Sequence, residues 1–347
     1  MLFNIYFKCR KQLKMKMACK LNSNAVRKLC TTTVARKFNR PPTNKEMVRA
    51  GGIASMFRLP VYKDTKELDV CFVGVPLDVG ASNRTGTRFG PRAIRSESVM
   101  LRSMNNDTGA RPYESLQVGD VGDVNLNQYN LPEACKQIQQ QFSKFVETGC
   151  KPLTMGGDHT ISYPILQAIK EKHGPVCLIH IDAHTDLYGP FMGSEIHHGN
   201  PFMLAYTEKL IDPNKTIQIG LRGSGMENDY EVGKKLGFRV VPAKDCWWKS
   251  LTPLMEEVRE MVGDKPVYIS FDIDSLDPAY APGTGTPEIG GLTGVQALEI
   301  IRGCRGLNIV GCDLVEVSPP YDIAGKTSIH AANLLFEMLC VLPGVKY

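Results

Sequence analysis

At the centre of the sequence lies the segment Ile179-His180-Ile181-Asp182-Ala183-His184-Thr185-Asp186. The apolar run that leads into it, residues 175–179, is typical of a strand buried on both faces of a parallel sheet. Asp182, His184 and Asp186 occupy alternate positions, so an extended chain would aim all three side chains to one side. Because a buried unpaired charge is very costly, the carboxylates require a counter-charge. The segment therefore predicts a bound cation at the end of a strand.

Two other apolar runs end in similar side chains. Residues 266–271 lead into Asp272 and Asp274, and residues 151–155 lead into Gly156-Gly157-Asp158-His159. In open parallel α/β sheets, ligands bind beyond the carboxyl ends of the strands. We therefore expect the three strand ends to form one shared site.

Strand and helix patterns alternate along the chain after residue 66, without repeats or an internal linker. Besides the three runs above, the pattern predicts strands over residues 68–75, 118–124, 217–220, 239–241 and 307–316. It predicts helices over residues 91–104, 132–148, 159–171, 254–261, 293–303 and 328–342. Such alternation is typical of a single α/β domain with a mostly parallel sheet and helices on both faces.

Charge is distributed unevenly along the chain. Residues 1–40 contain 11 of the 41 lysines and arginines and no acidic residue, whereas residues 41–347 contain 30 basic and 36 acidic residues. A basic, acid-free leader is typical of a mitochondrial transit peptide; the alternative is a basic tail for nucleic acid or an acidic membrane. The acidic remainder argues against nucleic acid as the main partner. We predict a transit peptide over residues 1–40, an N-terminal arm over 41–66 and a folded domain over 67–347.

The cysteines indicate a reducing compartment. There are 11 of them, an odd number, without a CxxC pair, and several lie singly in apolar runs. This usage favours reduced thiols in a mitochondrial matrix or cytosolic setting. No apolar run approaches the roughly 18 residues that a membrane-spanning helix needs. Together with the leader, these features predict a protein of the mitochondrial matrix without a membrane partner.

A glycine-rich basic loop follows the first predicted strand. Residues 76–95 interleave three glycines with Arg84, Arg88, Arg92 and Arg95. Such a loop can hold an anion on backbone N–H groups, or it can pack against a neighbouring subunit, and the sequence favours neither. It is not a phosphate-binding P-loop, because the order GxxxxGK[ST] is absent.

The histidines are concentrated near the predicted strand ends, with six of the seven between residues 159 and 198. The candidate metal ligands combine four carboxylates with two imidazoles: His159, Asp182, His184, Asp186, Asp272 and Asp274. Two divalent ions would neutralise these carboxylates, and an oxygen-rich set suits Mn²⁺, whereas a single Zn²⁺ more often takes His or Cys ligands. Two such ions can lower the pKa of a shared water to roughly 7. The alternative is an acidic cluster solvated at the surface.

Three motifs together resemble the signatures of the ureohydrolases, the arginase and agmatinase family. They are Gly156-Gly157-Asp158-His159, Asp182-Ala183-His184-Thr185-Asp186 and Ser270-Phe271-Asp272-Ile273-Asp274-Ser275-Leu276-Asp277-Pro278. The resemblance extends from about residue 50 to the C-terminus and is strongest to animal mitochondrial agmatinase-like members. It implies a three-layer α/β/α arginase-type fold with a mostly parallel sheet of roughly eight strands, in which residues 67–347 are a ureohydrolase catalytic domain. It also implies two Mn²⁺ per subunit and a homo-oligomer, either a trimer or a hexamer.

The resemblance assigns a role to each matching residue. One Mn²⁺ would be bound by His159, Asp182, Asp186 and Asp272. The other would be bound by Asp182, His184, Asp272 and Asp274, so that Asp182 and Asp272 bridge the two ions. Asp186 would also orient the attacking water. His198 would pass a proton to the departing amine, with the adjacent His197 as the alternative. Glu316 would hold the guanidinium, since a carboxylate can bind this planar group through two parallel hydrogen bonds.

The activity implied is hydrolysis of a linear guanidino compound to urea and an amine. The substrate is expected to be agmatine or a guanidino acid such as 4-guanidinobutanoate. Arg84 and Arg88 favour a guanidino acid, and the loop over residues 187–197 lacks the Asn- and Ser-bearing pattern with which arginases hold their substrate. We interpret His180 as a core residue or a neighbour of the ligands. Alternative hypotheses are arginase-type activity, a non-catalytic metal-binding assembly or regulatory subunit, and a zinc deacetylase on a related fold.

Overall fold

One sheet of eight strands organises the computed structural model, which describes residues 37–225 and 228–347. The strands are β1 (Val70–Gly74), β2 (Val118–Asp123), β3 (Lys151–Met155), β4 (Cys177–Ile181), β5 (Ile217–Leu221), β6 (Arg239–Pro242), β7 (Pro266–Asp272) and β8 (Asn308–Val315). They lie in the order β2-β1-β3-β8-β7-β4-β5-β6, and each neighbouring pair is parallel. The predicted parallel, eight-stranded sheet is confirmed.

Eight α-helices accompany these strands in the described part of the chain. They are α1 (Gly90–Ser98), α2 (Leu131–Glu147), α3 (Ser162–His173), α4 (Pro201–Thr207), α5 (Asp229–Leu236), α6 (Thr252–Val262), α7 (Gly294–Gly303) and α8 (Lys326–Val341). Several begin with a proline in the first turn, where the missing N–H would have no partner in the helix.

The sheet separates two hydrophobic cores. In β1, Val70 and Phe72 belong to one core, whereas Cys71 and Val73 belong to the other, because successive side chains of a strand point to opposite faces. Helices α1, α6, α7 and α8 contribute to the first core, and α2, α3, α4 and α5 contribute to the second. The molecule therefore has the three-layer α/β/α arrangement that the alternating pattern predicts.

Two predicted helices differ in extent from the observed ones. The helix predicted over residues 91–104 ends at Ser98, and the side chain of Asn105 instead accepts hydrogen bonds from the N–H groups of Asp107 and Thr108. Asparagine favours such local turns over helix. The helix predicted to begin at His159 starts with one 3-10 turn, and α3 follows it.

The N-terminal predictions fall largely outside the described residues. Of the predicted transit peptide, residues 1–40, only residues 37–40 are described. Residues 41–66 contain one 3-10 turn, Met56–Arg58, and Val61 pairs with Asp120 of β2 at the edge of the sheet. No helix among the described residues is long and apolar enough to cross a membrane. The eight cysteines of the described part are all free and buried.

The strand order brings the predicted ligands together. Strands β8 and β7 lie between β3 and β4, so these four strands are consecutive neighbours in the sheet. All four are parallel, and their carboxyl ends therefore meet at one edge. The candidate ligands lie at or just after the carboxyl ends of β3, β4 and β7, and Glu316 follows β8.

Candidate metal centre and active site

The chain leaves β4 at Ile181, so the next five residues form a loop rather than a longer strand. Oδ1 of Asp182 accepts a hydrogen bond of 2.6 Å from the N–H of His184, a turn to which aspartate is well suited. Asp186 has a left-handed backbone with φ of 51°. The expectation that an extended strand aligns these side chains was wrong. A turn and a left-handed residue bring them into one site instead.

The first group of candidate ligands is centred on the imidazole of His159. Its Nδ1 lies 3.1 Å from Oδ2 of Asp182, 2.9 Å from Oδ2 of Asp186 and 3.2 Å from Oδ2 of Asp272. All four side chains are buried, and Nδ1 of His159 makes no hydrogen bond. One imidazole nitrogen facing three carboxylate oxygens is a donor set that suits a divalent cation such as Mn²⁺.

The second group lies beside the first and shares Asp182. Nδ1 of His184 is 3.1 Å from Oδ2 of Asp274 and 3.5 Å from Oδ1 of Asp182. Asp182 thus directs one carboxylate oxygen to each group. Asp272 directs Oδ2 to the first group, whereas its Oδ1 accepts a hydrogen bond of 2.8 Å from the N–H of Asp274. The bridging role of Asp272 stays a prediction.

The other ring nitrogen of His159 is bound by a buried hydroxyl network. Nε2 lies 2.8 Å from Oγ of Ser270, whose hydroxyl donates a 2.7 Å hydrogen bond to Oδ1 of Asp313. Asp313 also accepts hydrogen bonds from the hydroxyls of Ser162 and Tyr268. Because Ser270 donates to Asp313, its oxygen accepts the hydrogen of His159 Nε2. In the neutral imidazole, Nδ1 of His159 then has no hydrogen and can bind a cation.

The electrostatics of the two groups favour added positive charge. Burial, with repulsion from Asp274 and Asp182, raises the pKa of Asp272 well above its ordinary value. Burial also raises the pKa of Asp274. Burial alone would lower the pKa of His159, yet the carboxylates of Asp186, Asp182 and Asp272 raise it well above its ordinary value. Divalent cations would supply the positive charge that these shifts indicate.

His198 and Glu316 form an ion pair next to the candidate metal ligands. Nδ1 of His198 lies 3.0 Å from Oε1 of Glu316, and Nε2 lies 2.7 Å from Oγ of Ser82. Burial would lower the pKa of His198, but the hydrogen bond and the charge of Glu316 outweigh it and raise the pKa to about 9. The pairing with Glu316 thus favours the protonated imidazole, the form that can donate a proton.

Glu316 follows β8 in a strained conformation. Its φ of 64° is in the left-handed region, and its N–H donates a 2.9 Å hydrogen bond to the carbonyl of Gly157. Oε1 accepts a hydrogen bond from the N–H of His159 as well as from His198. Oε2 is buried and accepts none. The carboxylate of Glu316 therefore connects the loop of His159 to His198, and its Oε2 remains without a hydrogen-bond partner.

A cavity of about 380 Å³ contains parts of both groups. Its lining includes the following residues: Ser82, His184, Asp186, Tyr188, Phe191, His197, His198, Asp272 and Thr286. Cavities of about 660 and 650 Å³ elsewhere on the molecule contain none of the predicted ligands. Of these three cavities, the one of about 380 Å³ is therefore the one that candidate ligands line.

The two arginines predicted to favour an anionic substrate do not line this cavity. The guanidinium of Arg84 lies 4.9 Å from the centre of the Tyr321 ring, and Arg88 forms an ion pair with buried Asp78. These contacts remove the support that the two arginines gave to a guanidino acid, and the choice between agmatine and a guanidino acid stays a prediction. A strand-to-helix loop carries side chains to both of its sides, and the sequence does not distinguish them.

The neighbouring histidines have different surroundings. Nδ1 of His197 accepts a 3.2 Å hydrogen bond from the N–H of Gly199, and its Nε2 donates a 3.0 Å hydrogen bond to the carbonyl of Gly189. His197 thus makes hydrogen bonds within its own loop, whereas His198 pairs with Glu316. This geometry favours His198 over His197 for the proton-transfer role.

Three residues of this site were not identified from the sequence. Ser270 and Asp313 are polar side chains inside apolar strands, and that pattern is a usable signal of a buried network. Ser82 lies in an irregular loop, 116 residues away from His198 in sequence, and no periodicity marks it. Only the folded chain places its hydroxyl against the imidazole.

Residues 68–340 match the family model described as the arginase family, and the chain belongs to that family. It is 62% identical over 313 residues to the mitochondrial agmatinase of Gallus gallus, with 90% of this chain and 92% of that protein covered. It is 61% identical over 308 residues to the mitochondrial guanidino acid hydrolase of Homo sapiens, with 88% of each covered. The solved structure of proclavaminate amidino hydrolase from Streptomyces clavuligerus matches with a TM-score of 0.80 at 40% identity, covering 84% of this chain and 99% of that one.

These similarities confirm the resemblance and the arginase-type fold. The chain is a hydrolase, which removes the hypothesis of a non-catalytic assembly or regulatory subunit. Among the described residues, its His and Asp side chains form two groups that could each hold a metal ion.

Proposed function

We propose that this chain hydrolyses a linear guanidino compound to urea and an amine. The observation that carries this proposal is that carboxylate oxygens of Asp182, Asp186 and Asp272 all lie within 3.2 Å of Nδ1 of His159. This cluster is close to His198. The names of the two relatives, an agmatinase and a guanidino acid hydrolase, support the same reaction class.

Two Mn²⁺ per subunit would be held by the six candidate ligands, which are His159, Asp182, His184, Asp186, Asp272 and Asp274. When bound, the two ions supply a nucleophile from water at neutral pH and stabilise developing negative charge. Asp186 lines the cavity and would accept a hydrogen bond from the attacking water. The oxygen-rich donor set favours Mn²⁺ over Zn²⁺.

Glu316 and His198 would act on the substrate itself. The carboxylate of Glu316 would bind the guanidinium and hold its carbon in line for attack. His198 would donate its proton to the departing amine, because that amine is a poor leaving group until it is protonated. The hydroxyl of Ser82, at the exposed side of the imidazole, would return a proton from solvent.

We favour a guanidino acid, such as 4-guanidinobutanoate, over agmatine as the substrate, because the cavity lining offers no free carboxylate to an ammonium tail. Asp186 and Asp272 are the only carboxylates among the side chains that line the described cavity, and the proposal assigns both to the cations. The ammonium tail of agmatine would therefore lie among Tyr188, Phe191 and Thr286 without a counter-charge. The described lining contains no lysine or arginine either, so a carboxylate tail would be held by hydrogen bonds rather than by an ion pair.

Urea release from the Mn²⁺-loaded chain tests this proposal. We would compare 4-guanidinobutanoate, 3-guanidinopropanoate, agmatine and arginine by kcat/KM. The highest value is expected for a guanidino acid and the lowest for arginine. A preference for agmatine would overturn the substrate assignment, and no urea from any of the four would overturn the reaction.

The remaining proposals concern location and assembly. The relatives are named as mitochondrial, and residues 1–40 have the composition of a transit peptide, so we place the chain in the matrix with a catalytic domain over residues 67–347. Import into isolated mitochondria, followed by N-terminal sequencing, would locate the cleavage. We also propose a homo-oligomer, a trimer or hexamer, whose mass light scattering would measure.

A further inference from the structure

His180 is a buried histidine that the proposed reaction does not use. It precedes Ile181 at the end of β4, and its side chain is fully buried. Nε2 lies 2.7 Å from Oδ2 of Asp182, and Nδ1 lies 3.0 Å from Nε2 of Gln218. The ring of Phe202 packs on it with centroids 4.3 Å apart. Both ring nitrogens are therefore engaged.

The hydrogen bonds of Gln218 decide which nitrogen of His180 carries the hydrogen. Nε2 of Gln218 also lies 2.7 Å from the carbonyl oxygen of Thr185, which can only accept. The amide atom facing both groups must therefore be the NH₂, and its two hydrogens point to Thr185 and to His180. Nδ1 of His180 accepts one of them. The hydrogen of the neutral ring is thus on Nε2 and is donated to Asp182.

Gln218 is an unusual residue for its position. It lies between Ile217 and Ile219 in β5, and its Oε1 is buried without a hydrogen-bond partner. A buried unsatisfied carbonyl costs free energy, so core packing alone would favour an aliphatic side chain here. A β-carbon on Gly233 would lie 2.7 Å from this Oε1, so the glycine leaves room for the amide.

We infer that His180 and Gln218 are positioning residues that hold the carboxylate of Asp182 for the metal centre. His180 belongs to the same buried group as His159, Asp182 and Asp186, but its Nε2 carries a hydrogen and has no lone pair for a metal. It fixes the rotation of Asp182, the one residue that directs an oxygen to each group of ligands. This inference rests on the metal centre of the proposed function.

Mn²⁺ affinity measured by titration calorimetry on the chelator-stripped chain tests this inference, with bound metal counted by elemental analysis. His180→Phe removes the donor and is expected to weaken Mn²⁺ binding about 10- to 100-fold. His180→Gln keeps an N–H near the position of Nε2 and is expected to restore most of the affinity. Gln218→Met removes the amide and is expected to weaken binding in the same direction. His173→Gln, near Lys151 at the opposite end of the strands, is the control and should bind as the unaltered chain does.

The outcomes separate this inference from the function on which it rests. Unchanged Mn²⁺ affinity in both His180→Phe and Gln218→Met would overturn it while leaving the metal centre intact. If His180→Gln loses one bound ion as completely as His180→Phe does, the imidazole of His180 is itself a ligand. If the unaltered chain binds no Mn²⁺, the proposed metal centre and this inference both fail. Thermal unfolding of the metal-free variants identifies any variant that does not fold. If either His180→Phe or Gln218→Met fails to fold, the Mn²⁺ affinity of the other one tests the inference.

Discussion

Oε1 of Glu316 lies 3.0 Å from Nδ1 of His198 and accepts a second hydrogen bond, of 2.9 Å, from the backbone N–H of His159. One carboxylate thus joins the proposed proton donor to the loop that carries a metal ligand. The residues come from the ends of β8 and β3 and from the loop that precedes α4. Their roles can be separated because substitutions of Glu316 and His198 remove no metal ligand.

His198→Ala is expected to retain the bound metal but to lose most turnover. Removing a positioned general acid typically slows a reaction about 10²- to 10⁴-fold. We would measure kcat for urea release together with the metal content of the variant. His173→Ala is the control, since its imidazole lies near Lys151 and Lys172 at the opposite end of the strands. Full activity in His198→Ala would show that the proton comes from another group.

Glu316→Gln is expected to move the alkaline limb of the pH profile to lower pH. Glu316 raises the pKa of His198 to about 9, so the imidazolium persists at neutral pH and is lost as the pH rises through that value. Without the negative charge, the proton leaves at lower pH. Bound cations would lower the limb in both proteins, so the difference between them is the measurement. Glu337→Gln, whose carboxylate binds Arg302, is the control, and an unmoved limb in Glu316→Gln would contradict the pairing.

Removal of metal is expected to lower the melting temperature. Four buried carboxylates lose their counter-charge, and a ligand present at 100 times its Kd contributes about 2.7 kcal/mol to the free energy of unfolding. We would follow unfolding by calorimetry before and after chelation, and again after Mn²⁺ is restored. The loss should be smaller at mildly acidic pH, because protons compete with the cation for the imidazoles and carboxylates and so weaken metal binding. A melting temperature that does not respond to complete removal would argue against a buried metal centre.

Asp313→Asn is expected to weaken both stability and metal binding. The buried carboxylate accepts from Ser162, Tyr268 and Ser270, and an amide can satisfy fewer of these donors. Leaving buried hydroxyls without acceptors costs about 1–3 kcal/mol, which chemical denaturation can measure. Mn²⁺ affinity should fall as well, since Ser270 then no longer fixes His159. Asp264→Asn, at an exposed position, is the control; equal effects in the two variants would remove any special role for Asp313.

Arg88→Met is expected to reduce stability without changing substrate preference. Its guanidinium pairs with Asp78, a buried carboxylate that would lose a charged partner, at a cost on the order of 2 kcal/mol. Arg84→Met, which removes only the packing on Tyr321, should leave the KM for 4-guanidinobutanoate unchanged. Urea assays and denaturation curves of the two variants would check this. A selective rise in KM for guanidino acids in either variant would restore the arginines as substrate ligands.

Much of this molecule follows from local patterns in the sequence. Alternating strand and helix signals predict a parallel α/β sheet, because hydrophobic periodicity reports directly on each element. The runs that end in Asp182, Asp272 and His159 indicate the candidate ligands, because a buried charge at the end of an apolar strand is costly unless something compensates it. The three sequence motifs indicate the arginase family by themselves, without any information on side-chain contacts in the folded chain.

The folded chain alone determined the geometry around these ligands. Asp186 reaches the site through a left-handed backbone rather than an extended one, and Ser82 meets His198 across 116 residues. Arg84 packs on Tyr321 and Arg88 pairs with Asp78, and Gln218 sets the hydrogen of His180. The contacts of Ser82, Arg84 and Gln218 join segments that are neighbours in the fold but distant in sequence. Periodicity encodes which face of a strand is buried, but it does not encode which strand lies beside it.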